Sequence, residues 1–373
     1  MKIAVYAIAL DEAAHAEPFM ASCRDADLVL VADTGSRDAT ARRLAERGAE
    51  VRRIRIDPWR FDAARNAALE LLPGDVDVCI SLDLDQTLAP GWRALVEAGW
   101  REGINRLYYV LVHHQAGAGG ELAFVDSRIH SRRGYVWRYP CHECLVPRGA
   151  QEHARLEPRL KVLHAPDPAK PRSGYLPLLE LGAREAPDDA RAAHYLGREY
   201  FELGRHAAAA REFERALALP CAPAAAIERN ASLRWLAHCR ENLGDAAGAL
   251  AGFRRAVDEA PQLRGAWVEL AWACFRRQAW PQCLDAAERA IAFAPGPRLY
   301  GDDTSPGVVA EDLAALAAWS LGRPRQALGY ARAALAKAPS SPRIRANLER
   351  IEAALASGAS AFGVSMQPLN QKL

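Results

Sequence analysis

The sequence predicts an α/β domain followed by an all-α solenoid built from repeated helix pairs. Three observations carry this. Short β-rich apolar runs alternate with helix-length segments through the first 170 residues, strand signals stop after them, and prolines then recur at repeat-like intervals. The 373 residues suit two domains, and the chain is half hydrophobic and a quarter charged, a normal globular balance. With 48 basic and 46 acidic residues, the net charge of +2 gives no bulk attraction to nucleic acid or to a membrane surface.

In chain order, Lys2 to Ala9, Leu28 to Ala32, Val51 to Ile56 and Val76 to Leu82 read as strands. Glu12 to Cys23, Asp38 to Arg47 and Phe61 to Leu72 read as the helices between them. This βαβαβαβ order implies a mostly parallel, Rossmann-like sheet covered on both faces, whose ligands bind beyond the carboxyl ends of the strands. Met1-Lys2-Ile3 runs straight into the first strand, so no signal peptide is expected. The apolar stretches fall short of the ~20 residues that cross a bilayer. Eight scattered cysteines suggest reduced thiols in a cytoplasmic protein.

The boundaries expected are 1–170 for the α/β domain, 171–186 for a linker with a connecting helix, 187–357 for the repeats with a capping helix, and 358–373 for a frayed tail. Asp167 to Ser173, with Pro168 and Pro171, is the connection. Beyond it, Pro220, Pro261, Pro295 and Pro339 close helical units at steps of 41, 34 and 44 residues. The middle step is the tetratricopeptide period. Gly197, Tyr200, Gly204, Ala209, Phe213 and Ala216 occupy that repeat's small-residue, turn and seam positions. Leu236, Gly244, Ala249, Phe253 and Ala256 follow the same spacing, as do Trp267, Leu270 and Ala290, and then Gly322, Ala327 and Ala334. The glycines suit left-handed helix ends, and the alanines let paired helices approach closely.

Candidate chemistry lies in the loops after the strands. Asp33-Thr34-Gly35-Ser36 can accept from a ribose or a base, and it reads equally as a capped strand-to-helix turn. Arg65 and Asn66 lie early in a helix, where an anion is stabilised, although a single arginine also reads as a surface residue. Asp83-Leu84-Asp85 follows a buried strand and can hold a divalent cation. The same spacing at Asp25/Asp27 and Asp75/Asp77 precedes strands instead. His142-Glu143 offers a base, and His164 ends the last strand, where it reads either as structural or as a metal ligand. Cys141 and Cys144 lack the second pair that a structural zinc site needs. Trp59, Trp92 and Trp137 read first as core residues.

Taken in order, Asp33-Thr34-Gly35-Ser36-Arg37-Asp38, Ala64-Arg65-Asn66, Asp83-Leu84-Asp85, Arg128-Ile129-His130 and Pro140-Cys141-His142-Glu143 resemble family 2 glycosyltransferases of the GT-A type fused to tetratricopeptide repeats. The resemblance implies a metal-dependent (Mn²⁺ or Mg²⁺), inverting transfer from a nucleotide-diphosphate sugar, with UDP favoured. It implies donor contacts from Ala9, Asp11, Glu12, Asp33, Gly35, Arg65, Asn66, Asp83 and Leu84, and metal ligation by Asp85, Asp83 and His164. Glu143 would be the catalytic base, with His142 beside it. Leu10-Asp11-Glu12 and Gln86 depart from the family pattern, which usually has Lys-Asn-Glu in the early loop and an acidic residue after the aspartate pair. The repeats would bind an acceptor protein or peptide, or form a homodimer. The alternative is a non-catalytic interaction scaffold with a degenerate nucleotide-binding domain.

Overall fold

The computed structural model describes residues 1–114, 121–149, 151–166, 174–220, 226–293, 307–357 and 366–367. The chain divides into two compact units between Pro187 and Asp188.

The first unit is built on an eight-stranded sheet. Strands β1 (Ile3–Ala9), β2 (Leu28–Asp33), β3 (Glu50–Arg53) and β4 (Val78–Ser81) alternate with helices α1 (Ala16–Ser22), α2 (Thr40–Glu46) and α3 (Phe61–Glu70). Then come β5 (Gln86–Leu88), α4 (Trp92–Gly99), β6 (Arg106–His114), β7 (Glu121–Ser131), the hairpin β8 (Tyr135–Arg138) and β9 (Cys144–Pro147), and β10 (Ala154–His164). The strand order is β3-β2-β1-β4-β7-β6-β10-β5.

The first four strands are parallel to one another, as the alternating pattern predicts. In the rest of the sheet β10 runs parallel to β6, and the other pairs are antiparallel. β7 runs antiparallel to both β4 and β6, and β5 runs antiparallel to β10, so the sheet is mixed. A helical crossover is required only between parallel strands, and β6 and β7 are antiparallel neighbours.

Alternation along β1 feeds both faces. Ile3, Val5, Ala7 and Ala9 join Phe19, Ile80 and Trp92 on one side, while Ala4 and Tyr6 join Leu30, Cys79 and Trp137 on the other. Trp92 donates to the Ser22 carbonyl at 3.0 Å and Trp137 to the Tyr6 hydroxyl at 2.8 Å, which fixes both indoles in the core.

Helix starts are tighter than the sequence suggests. α1 begins at Ala16 because Asp11 sits in the left-handed region at φ 52° and the Glu12 N–H donates to Thr40 Oγ1 rather than entering a helix. α5 (Tyr175–Glu185), expected as part of a linker, packs within the first unit. A Cβ on Gly182 would lie 3.2 Å from Pro140, and Glu185 pairs with Arg60. Asp167–Ser173 lies outside the described residues.

The second unit consists of antiparallel helix pairs. They are α6 (Ala190–Glu202) with α7 (His206–Ala218), α8 (Ala226–Asn242) with α9 (Ala246–Glu259), α10 (Arg264–Arg276) with α11 (Trp280–Ile291), and α12 (Val309–Ser320) with α13 (Pro324–Lys337). Helix α14 (Pro342–Ser357) follows. Ala209, Phe213, Ala249, Phe253, Ala256, Ala327 and Ala334 are all buried, which places the seam where the repeat spacing puts it. Gly204, Gly244 and Gly322 turn the chain at positive φ, but the third pair turns at Gln278 with φ 55°. Pro295 lies outside the described residues. Of the tail, Met366 and Gln367 are described, and Gln367 is hydrogen-bonded to Asn347 on α14 rather than frayed.

Candidate functional site

The carboxyl ends of β1 and β2 are bolted together. Ala9 and Asp33 are register partners, and the Ala9 carbonyl accepts both the N–H and the hydroxyl of Thr34 at 2.9 Å. Asp33 is buried and accepts the Ser36 N–H at 3.0 Å. Gly35 holds φ 121°, which a side chain would strain. Asp11 Oδ1 accepts the amides of Arg37 and Asp38 at 2.7 and 3.2 Å. The structure therefore gathers Ala9, Asp11, Glu12, Asp33 and Gly35 into one loop cluster. The Asp11 carboxylate is spent, at least in part, on holding that cluster.

Next to it lies a buried charge network. Arg65, from the second turn of α3, donates through Nε to Glu143 and through Nη2 to Asp83, and its guanidinium lies 5.0 Å from the Trp137 ring centre. Arg128 on β7 reaches Asp83 at 3.0 Å and Asp126 at 3.6 Å. Burial opposes charge on Asp83, but the two guanidiniums outweigh it and hold the carboxyl well below the usual range. Burial likewise opposes charge on Arg65, and Asp83 with Glu143 outweighs it, so its pKa rises.

The structure places the other candidates in and around this network. Arg65, expected near a diphosphate, is engaged by two carboxylates. Glu143, expected as a base, is ion-paired and nearly buried. Asn66 makes a two-point clasp to the Trp137 main chain, with both bonds at 2.9 Å. Leu84 is a core residue. His142, at φ 51°, meets the edge of Tyr175. Arg128, quoted in the Arg128-Ile129-His130 motif without a role, and Asp126 both belong to the network. Their i, i+2 spacing on a strand, which puts both on one face, was the signal for them.

Asp85 and His164 also come together. His164 Nε2 lies 3.3 Å from Asp85 Oδ2, and its Nδ1 lies 2.9 Å from His113. Asp85 Oδ1 is buried without a hydrogen-bond partner, which is the feature here that most suits a cation. Asp83, however, turns to the arginines, so the expected set of Asp83, Asp85 and His164 is not assembled. Among the described residues no group of three or more His, Cys, Asp or Glu is arranged to hold a metal ion. Gln86 Oε1 accepts the Asp83 N–H at 3.1 Å and braces the turn. Neither Cys141 nor Cys144 is in a disulfide among the described residues.

The second unit carries a different kind of surface. On the first helices of the first two pairs, Arg191 lies over Tyr195 at 4.6 Å, and Arg198 lies over Tyr195 and Trp235 at 5.4 and 5.7 Å. Arg191 also pairs with Glu228 at 3.4 Å, and the Nε atoms of both arginines are buried, so any anion would meet their outer nitrogens. Deeper, Arg234 and His238 on α8 meet Glu269 on α10 at 2.6 and 3.2 Å, with Glu241 and then Arg276 behind His238. Burial disfavours the imidazolium, but Glu269 and Glu241 outweigh it and raise the His238 pKa to about 9.

His238 therefore contributes stability that is fully present below pH ~6.5 and lost as pH rises through about 9. The helical melting temperature is expected to fall across that window, and His238→Gln should flatten the fall. An unchanged slope in the variant would refute the assignment.

No protein-family model matches the chain. A TPR repeat-containing protein of Synechococcus elongatus is 27% identical over 315 residues, covering 79% of this chain and 76% of that one. A match of that length exceeds either unit and so runs through both. Among solved structures, a crystal structure of MamA aligns with 45% of this chain and 88% of its own at 16% identity and a TM-score of 0.38. A crystal structure of YrrB, described as a TPR protein with an unusual peptide-binding site, aligns with 48% and 84% at 13% identity and a TM-score of 0.39. No helix among the described residues is long and apolar enough to cross a membrane.

Proposed function

We propose that this chain is a protein-interaction module in which the helix pairs dock a carboxylate-bearing segment of a partner, and the α/β unit is a non-catalytic companion. The observation that carries it is the ladder of the partly exposed Arg191 and Arg198 over the buried Tyr195 and the partly buried Trp235, on two neighbouring first helices. Stacked guanidiniums lose little freedom on binding and match carboxylates with a planar fork. The α/β unit supports the non-catalytic part. Its Asp83 and Glu143 are neutralised by arginines of the same chain rather than left open to a donor and metal.

The test is quantitative co-purification of partners with the full chain. Arg191→Glu combined with Arg198→Glu is expected to lower partner recovery at least tenfold, while Asp85→Ala leaves it unchanged. Equal recovery with the double variant would end this reading.

One observation favours a second reading. The unsatisfied Asp85 Oδ1 beside His164, at the end of the sheet where Asp33 also lies, fits a divalent cation with a nucleotide-diphosphate sugar. In that reading Asp85 and His164 hold the cation, which neutralises the leaving diphosphate, while Asp33 binds the nucleoside. A Mn²⁺-dependent thermal shift with uridine diphosphate, together with sugar-nucleotide hydrolysis lost in Asp85→Ala, would establish it over the first.

A further inference from the structure

We propose that Asn347 forms a peptide station on α14 that reads the main chain of an extended segment bearing an apolar residue, and that the chain's own Met366–Gln367 fills it in cis. The station rests on the interaction reading above and gives it a second, chemically distinct contact point.

The buried stripe of α14 is Ile344, Asn347, Ile351 and Ala354. An amide in an aliphatic stripe is costly unless both its donor and its acceptor are used. Asn347 is 4% exposed and uses both on a single residue. Its Nδ2 donates to the Gln367 carbonyl at 3.0 Å, and its Oδ1 accepts the Gln367 N–H at 2.8 Å. That is the pair of bonds a neighbouring strand would offer, and it ignores the side chain. Accordingly the Gln367 side chain is exposed.

Selectivity falls to Met366, which packs on the solenoid's hydrophobic core. A thioether is unbranched and adapts to an irregular apolar seat. The sequence also prepares the occupant. Gln367 precedes Pro368, and the residue before a proline is steered from the helical to the extended region. An extended segment therefore arrives with part of its ordering cost already met. Residues 358–365 tether it to the end of α14. A short tether gives an effective concentration of about millimolar, so the tail outcompetes dilute peptides of equal intrinsic affinity. The recognised unit is an apolar residue followed by any residue with a free N–H, in extended form.

The experiment uses full-length protein and a fluorescein-labelled synthetic peptide of residues 358–373. Gln367→Pro in the protein removes the N–H that Asn347 accepts without touching the solenoid, and so frees the station. The labelled peptide is expected to bind this variant at least tenfold more tightly than wild type. Adding Asn347→Ala, or placing the Gln367→Pro or Met366→Ser change in the peptide, should abolish that gain. In wild type the Gln367 amide should exchange at least tenfold more slowly than in Asn347→Ala, with helical content equal in both. Equal peptide binding to wild type and Gln367→Pro protein, or undiminished binding of the proline-containing peptide, would overturn the proposal. Such a failure is separate from that of the interaction reading, which is scored on Arg191 and Arg198.

Discussion

Replacing Arg65 with alanine is expected to destabilise the α/β unit by about 3–5 kcal/mol, the usual cost of stranding buried charge. Arg65 is 3% exposed and is the shared partner of Asp83 and Glu143, so its loss strands the nearly buried Glu143 and halves the ion pairing of the part-exposed Asp83. Arg128 still reaches Asp83, but Glu143 loses its guanidinium. The pH dependence has a definite sign. In wild type the depressed Asp83 pKa contributes stability above the ordinary carboxylate range, and that stability is lost as pH falls below ~3.9. In the variant Asp83 keeps only Arg128 and loses part of the depression of its pKa, so the deficit is largest near neutrality and shrinks in acid. Denaturant unfolding of wild type and variant at pH 7 and pH 4 measures this. A deficit below about 1 kcal/mol at pH 7 would mean that the network contributes little. Arg65→Lys should recover only part of the loss, because an ammonium cannot reach both carboxylates with a fork.

The second large effect is expected in the repeats. Phe253 is fully buried, packs among Leu233, Ala237 and Ala256, and meets the His238 ring edge-on at 4.9 Å. Phe253→Ala should cost about 3–5 kcal/mol, because the small alanines around it have no side-chain reach with which to fill the void. Each pair of a repeat array is stabilised mainly by its immediate neighbours. The loss should therefore spread from α8 and α9 and broaden the helical unfolding transition followed by circular dichroism. A sharp transition displaced by less than about 1 kcal/mol would show that the seam repacks. It would also remove the reason for a bulky residue at this repeat position.

What was legible in the sequence was local. Alternation in β1, the alanine and phenylalanine seam, and the glycines at 204, 244 and 322 are written in short-range periods, because a strand or a helix imposes its repeat on neighbouring residues. No glycine marks the turn at Gln278, where main-chain hydrogen bonds from Gln278 to Phe275 and from Ala279 to Cys274 close the chain at positive φ. The candidate site was legible as a set of loops but not as a set of bonds. Asp33, Asp83, Asp85, Glu143 and His164 were all singled out, yet the sequence could not say which of them would face a cation and which a guanidinium.

By itself, then, the sequence determined the two-part architecture and the loops where chemistry gathers. Tertiary structure decided the partners. Arg65 meets Glu143 across 78 positions, Arg128 meets Asp83 across 45, and β7 inserts antiparallel between β4 and β6. Asn347, a residue that breaks an apolar stripe for no local reason, acquires one only when Gln367 returns to it from 20 positions on. The physical reason is common to all of these. Backbone periodicity is set by covalent neighbours, whereas a buried charge or amide must be satisfied by whatever the fold brings within hydrogen-bond reach.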